Sequence, residues 1–442
     1  MQIKLSDHFT YKKLIRFTFP SVVMMIFTSI YGVVDGFFVS NFVGKTPFAA
    51  LNLIMPFLMI FSALGFMIGT GGSALVAKYL GEVKADKANR LFSLLIYVSI
   101  GFGVLFTVLG LLLLRPVAIS FGAEGEMLEY SVKYGAIILP ALTFFILQNV
   151  FQSFFVTAEK PKLGLLVTVA AGVTNIVLDA LFVACFHWGL VGAALATALS
   201  QFVGGVVPLF YFSFKNNSLL RLGRADFMGK DLLKVCTNGS SELLTNLSLS
   251  VVNMLYNAKL MQYAGENGVA AYGVIMYVNF IFISAFIGYS IGSAPVVSFH
   301  YGAGNKGELK SLLKKSLVII CSAGILLIFA AELLAPLLSK IFVGYDAELY
   351  EMTRVAFMIY STSFLIIGIN IFASAFFTAL NNGPVSAVIS FLRTLLFQVI
   401  AVILLPIFFG INGIWVSITV AELMALVVSV ICFASNRKRY GY

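Results

Sequence analysis

Charge is scarce in this 442-residue chain: Asp, Glu, Lys and Arg make up 11% of it, against 60% hydrophobic residues. A soluble domain carries roughly 25% charged residues, so a free-standing water-soluble fold is excluded. Histidine is almost missing, and His8, His187 and His300 lie far apart in sequence, which argues against a His-based metal or catalytic centre. The cysteines Cys185, Cys236, Cys321 and Cys432 are scattered through apolar stretches with no C-x-x-C spacing. They read as small buried hydrophobes, not as a disulfide framework or a metal site. No G-x-x-x-x-G-K-[ST] occurs, so the chain carries no ATPase signature of its own. GTGGSA at 69–74 fits G-x-G-x-x-A in form only, because it lies in an apolar span with no strand before it. The opening MQIKLSDHFTYKKLIRF runs into the first apolar stretch without a small-residue cleavage site, so no removable signal peptide is expected.

What the chain has is long apolar runs. About 20 such residues span the hydrocarbon as a helix, and twelve candidates follow one another: 12–43, 48–80, 89–114, 127–158, 162–184, 189–213, 232–264, 268–300, 310–335, 349–380, 385–408 and 412–434. The runs are too long for barrel strands and show no alternation. The fold expected is an all-α polytopic membrane protein. Its net charge of +10 would suit nucleic acid, but its placement excludes that reading. With the N-terminus inside, 22 of the 29 Lys and Arg flank helices on that face, six lie opposite, and Arg393 falls inside a helix. That asymmetry is the positive-inside signal of a multi-pass protein of the inner (cytoplasmic) membrane with both termini cytoplasmic.

A shift of 221 residues lays the first half on the second. Gly44 then meets Gly265, Gly71 meets Gly292, Gly81 meets Gly302, Asn149 meets Asn370, and Gly189 meets Gly410. The chain is a duplication, with lobes expected at 1–221 and 222–442 and a polar connector at about 213–234. An even six helices per repeat makes the repeats parallel, two six-helix bundles related by a pseudo-twofold along the membrane normal. Secondary transporters built this way hold substrate between the halves and alternate access by rocking them.

Ionisable residues inside spans are costly, at roughly 2.5–3.5 kcal/mol even on the mildest scale, and tend to be functional. They are Asp35, Asp179, Glu242, Glu422 and Arg393. Asp35 lies nine residues before Gly44, Asp179 nine before Trp188, and Thr197 eight after Gly189, so all three share one depth in the outer half of the first lobe. Asn175 sits four residues before Asp179, on the same helix face. Two carboxylates, an amide and a hydroxyl at one depth could hold a proton or a Na⁺ ion; a lock bonded only to itself is the plainer alternative. The second lobe is no electrostatic copy, because Asp35 falls on Tyr256, Asn175 on Leu396 and Asp179 on Ile400. Instead, Glu242, Asn246, Ser250, Asn253 and Asn257 make a polar stripe at helical spacing that should face a cavity. Gln148 and Gln152, beside Phe144, Phe145 and Phe151, suit a cavity lined by amides and aromatics, with interhelical hydrogen bonding as the alternative. Arg393 can pair with Glu242, pair with Glu422, or leave Glu242 to bind cations. Pro20 removes an intrahelical bond and should permit a bend in the first helix.

Taken together, Pro20 with VVDGFFVSNFVG, GGSALVAKYLGE and its echo SAPVVSFHYGAGN, and NIVLDALF with GLVGAALATALSQ make the chain resemble the multidrug and toxic compound extrusion (MATE) family over nearly its whole length. The resemblance implies a cation-coupled antiporter exporting lipophilic organic cations, with Asp35, Asn175, Asp179 and Thr197 as the coupling site. It implies no cofactor beyond the coupling ion, H⁺ or alternatively Na⁺, a monomer, and no enzymatic activity. Some members carry acids in the second lobe on helices 7 and 10; helix 10 here has none in its middle, which favours protons at the first lobe. Two rivals stand beside this reading. A lipid-linked saccharide flippase would want a strongly cationic cavity, whereas the spans hold four acids and one Arg. A membrane-embedded enzyme would need a His/Asp or Cys/His constellation at one depth, and the sequence displays none.

Overall fold

The computed structural model describes residues 3–344 and 346–442. The first half builds α1 (Tyr11–Phe38), α2 (Lys45–Gly81), α3 (Ala85–Ser120), α4 (Gly125–Thr157), α5 (Pro161–Asp179) and α6 (Gly189–Ser213). The second half builds α7 (Gly229–Gly302), α8 (Lys306–Val343), α9 (Ala347–Ser361), α10 (Phe364–Ala379), α11 (Gly383–Phe391) and α12 (Phe397–Tyr440). Two of these runs are hairpins. α7 turns back at Gly265, with φ 59° and ψ −148°, and α12 at Gly410, with φ 57° and ψ −140°. Only glycine adopts such angles without steric cost. α9 and α10 meet at a 48° bend and act as one crossing. The twelve crossings expected from sequence are therefore present, in two bundles of six.

Helix ends follow the local chemistry. Thr10, Asn305 and Asp346 cap α1, α8 and α9 by accepting from backbone N–H groups of the first turn. Pro161 opens α5 where a missing N–H costs nothing. α1, α5 and α11 each widen into a π-helical turn, at Val39–Val43, Ala180–Cys185 and Leu392–Leu396. Such turns concentrate at functional positions; one follows Asp179 directly and another contains Arg393.

The halves meet backbone to backbone at one end. A Cβ on Gly81 would lie 2.0 Å from the Phe299 carbonyl oxygen, and one on Gly302 would lie 2.1 Å from that of Lys78. These residues are pairs under the 221-residue offset, so the contact is made twice by the pseudo-twofold. Gly71 against Gly239 and Gly292 against Thr18 repeat the pattern further along. Asn238 Nδ2 adds bonds to the carbonyls of Gly71 (3.5 Å) and Thr378 (2.9 Å).

Both chain termini lie at this end. Leu5 and Phe9 are fully buried in one cluster with Tyr440 and Tyr442. The segment before α1 also straps the halves. Leu5 N donates to Glu159 Oε1 (2.6 Å) of the α4–α5 turn, while Phe9 N donates to Glu308 Oε1 (2.8 Å) on α8. His8 Nδ1 lies 2.6 Å from the second Glu308 oxygen, and Lys315 Nζ donates to the Phe9 carbonyl. The stretch between α6 and α7 is irregular over residues 214–228 and packs on α3, through Arg221 N to Asn89 Oδ1 (2.8 Å), Gly223 N to Ser93 Oγ (3.0 Å) and an Arg90–Asp226 ion pair.

A side chain at Gly81 or Gly302 must push the halves apart. Gly302→Val is expected to cost about 1–3 kcal/mol through overpacking, read as a lowered unfolding temperature of the purified protein. An unchanged midpoint would contradict the backbone contact described.

Candidate functional site

Asp35 projects from α1, Asp179 ends α5, and Thr197 lies on α6. Thr197 Oγ1 donates to Asp35 Oδ1 (3.3 Å) and accepts from Asn175 Nδ2 (3.5 Å). The four residues placed at one depth by the sequence are thus brought together. Asp179 is fully buried, and neither of its carboxylate oxygens has a hydrogen-bond partner among the described residues. Its charged neighbour is Asp35. Asn175 Oδ1 is likewise buried and unpartnered. Neither carboxylate takes part in an ion pair among the described residues. An unpaired buried charge is very costly, so the geometry calls for a proton or cation on these oxygens.

Two further residues complete the site. Tyr134 on α4, buried, stands beside Thr197 and feels both carboxylates through space. Tyr31 stands one turn before Asp35 on α1, facing both Asp35 and Gln148. Neither was singled out from sequence, yet signals exist. Tyr31 is four residues from Asp35, on the same helix face. Tyr134 lies nine residues into α4 from Gly125, the depth that united the other four.

Gln148 and Gln152 do not join the α7 stripe. They are buried and line a small cavity of about 10 Å³ with Gly164, Thr168, Gly204 and Pro208, bounded by α4, α5 and α6. That is room for about one water molecule, beside the unpartnered Gln148 Oε1.

In the second half the pairing of Arg393 is resolved. Arg393 Nε donates to Glu422 Oε1 (2.8 Å), and Asn370 Nδ2 donates to Glu422 Oε2 (2.8 Å) and to its carbonyl (2.9 Å). Ser429 Oγ in turn donates to Asn370 Oδ1 (2.9 Å). Glu242 makes no ion pair among the described residues and senses Arg393 only through space. Along the stripe, Asn246 Nδ2 donates back to the Glu242 carbonyl (2.8 Å), and Asn253 Oδ1 accepts from Tyr272 (2.8 Å). Glu242, Asn246 and Asn253 are partly exposed and Asn257 is exposed. Tyr256, at the offset of Asp35, donates to Gln398 Oε1 (2.9 Å).

The fold and site define a two-lobed polytopic membrane protein with an acidic pair, Asp179 fully and Asp35 partly buried, in its first lobe. The sequence profile of the MatE family matches two segments, 20–181 and 243–404, one in each repeat. The chain belongs to that family, whose members are transporters. It is similar to the "Multidrug export protein MepA" of Staphylococcus haemolyticus, at 25% identity over 97% of this chain and 94% of that protein. The protein of the same description from Staphylococcus aureus strain MW2 is 24% identical over 96% and 93%. Among solved structures, an outward-facing multidrug resistance MATE family transporter of the MOP superfamily superposes with TM-score 0.91 at 24% identity, covering 98% of this chain and 97% of that one. A MOP superfamily transporter from Pyrococcus furiosus, described as having a binding pocket of reverse polarity, gives TM-score 0.91 at 23% identity over 98% of each chain.

The Arg393–Glu422 pair should behave as structure. Breaking a buried pair from one side costs about 3–5 kcal/mol, whereas removing both charges is far milder. Arg393→Met is therefore expected to lower the unfolding temperature sharply, and Arg393→Met/Glu422→Gln to recover most of the loss. A double variant as unstable as the single one would contradict that role.

Proposed function

We propose that this chain is a secondary active multidrug efflux transporter, exporting lipophilic organic cations in exchange for protons, with Na⁺ as the alternative coupling ion. The observation that carries the reading is the pair of Asp179, fully buried, and Asp35, partly buried beside it, whose oxygens outnumber the donors that Thr197 and Asn175 supply. One proton turns one carboxyl of the pair into a donor to the other and removes a negative charge from the lobe. The protonated lobe then holds an organic cation less well and favours its release. Na⁺ would use the same oxygens together with Asn175 Oδ1. The units that rock are residues 1–221 and 222–442, with both termini on the cytoplasmic side of the inner membrane and the protein acting as a monomer.

The wall offered to substrate is the α7 stripe of Glu242, Asn246, Asn253 and Asn257, with Glu242 as its anion. Gln148 and Gln152 serve the coupling lobe from within. A lipid-linked saccharide flippase gains no support, because Arg393, the cation within the spans, is spent on Glu422.

Uptake of a fluorescent lipophilic cation into proteoliposomes, driven separately by imposed pH and Na⁺ gradients, tests this function. Transport driven by the pH gradient and abolished in Asp35→Asn is expected, with Tyr134→Phe reduced and shifted in its pH dependence. Drive by Na⁺ alone would change the ion and keep the site. Normal transport by Asp35→Asn would remove Asp35 from coupling, and no cation transport under either gradient would overturn the substrate class.

A further inference from the structure

At the end that carries both termini, the turn from α4 into α5 and the last turn of α6 enclose a groove of about 500 Å³. Its polar lining is Lys160, Lys215, Asn216 and Asn217, and its apolar lining includes Phe210 and Phe214. Neither lysine has an ion-pair or hydrogen-bond partner among the described residues. Glu159, beside Lys160 in sequence, accepts from Leu5 N and feels Lys160 through space. Asn216 is fixed in place: its Nδ2 donates to the carbonyls of Tyr211 and Phe214 (both 3.2 Å), and its Oδ1 accepts from Ser218 N (2.9 Å). Asn217 keeps its amide free for a ligand among the described contacts. Phe210 and Phe214, 58% and 65% exposed, stack in parallel 6.1 Å apart on the outer side of α6.

We propose that this groove binds the phosphate-bearing headgroup of an anionic phospholipid. Lys160 and Lys215 hold the phosphate, Asn217 donates to the glycerol or phosphate oxygens, and the Phe210–Phe214 pair lies along the upper acyl chain. Two features favour a lipid over free phosphate. The exposed rings continue the groove onto the membrane-facing surface, and α6 ends at this level, where apolar span gives way to polar connector. Basic pockets at that boundary suit anionic headgroups. The floor adjoins the Gln148–Gln152 cavity, since Phe155 of that cavity packs on Tyr211 of the groove at 6.2 Å between ring centroids.

Native mass spectrometry of the full chain, titrated with phosphatidylglycerol or phosphatidylcholine, tests the site. Lys160→Gln/Lys215→Gln is compared with Lys310→Gln/Lys314→Gln, an exposed pair at the same end carrying the same change in charge. The groove variant is expected to bind phosphatidylglycerol about 30-fold more weakly, with the control pair close to wild type and phosphatidylcholine unaffected throughout. Equal loss in both variants would reduce the effect to general surface charge and overturn the site. Unchanged binding in the groove variant would do the same. Inorganic phosphate displacing phosphatidylglycerol at millimolar concentration would assign the site to a free anion instead.

Discussion

A bilayer core supplies no water to a buried polar group, so each such group must find its partner within the protein or carry an ion. The same backbone, used twice here, answers that constraint in two ways. At Asn370 and Glu422 the second half closes a network with Arg393 and Ser429 in which both carboxylate oxygens accept a bond. The corresponding positions in the first half are Asn149 and Gln201, and Gly172 stands where Arg393 would be. A side chain at Gly172 would collide with the rings of Phe27 and Tyr31, within 2.4 Å and 2.9 Å. Space that holds a guanidinium in one half is filled by α1 aromatics in the other, and Tyr31 is the residue that faces Asp35. One half is thereby locked by its charges, and the other keeps two carboxylates that no ion pair engages among the described residues.

The duplication also explains why the close backbone approach of the halves at this end comes in pairs. Because each glycine contact is generated twice by the pseudo-twofold, a single small residue conserved in register through the chain creates two sites of backbone contact. At these positions carbonyls and α-carbons meet directly, flanked by buried side chains that cross between the halves, Leu14 and Phe17 of α1 in the second half's core and Val235 of α7 in the first half's.

Much of this was legible from sequence because the signals were long or repeated. Twelve apolar runs and one constant offset determine the bundle, and the turn glycines 265 and 410 fall where the offset places partners of Gly44 and Gly189. The cluster of Asp35, Asn175, Asp179 and Thr197 followed from counting depth along helices whose rise is fixed. What stayed hidden depends on rotation and on side-chain direction. The sequence left Arg393 open to Glu242 or Glu422, and Glu422 wins, with Asn370 holding its other oxygen. Gln148 and Gln152 looked like the wall of a cleft because amides beside phenylalanines do not reveal which neighbour a helix face meets. Tyr134 was missed because a tyrosine in a span is an ordinary apolar residue until the fold sets it beside Thr197.

The strap before α1 sets a condition on any opening of the closed end. Glu159 belongs to the first six helices and Glu308 to the second six, and residues between Leu5 and Phe9 bridge them. Separating the halves there stretches a segment of five residues whose two apolar anchors are fully buried. One carboxylate must let go before the glycine surfaces can part by more than the slack in that segment. Glu308 holds the strap through Phe9 N and His8, and its own backbone N–H is capped by Asn305. Glu159 holds Leu5 from a turn where its own φ is +58°, a left-handed conformation that a non-glycine residue adopts only under constraint. That turn is fixed by its own backbone bonds, Glu159 N to the Val156 carbonyl (3.0 Å) and Lys160 N to that of Phe155 (2.8 Å), so the Glu159 carboxylate can let go of Leu5 while the turn that presents it stays formed.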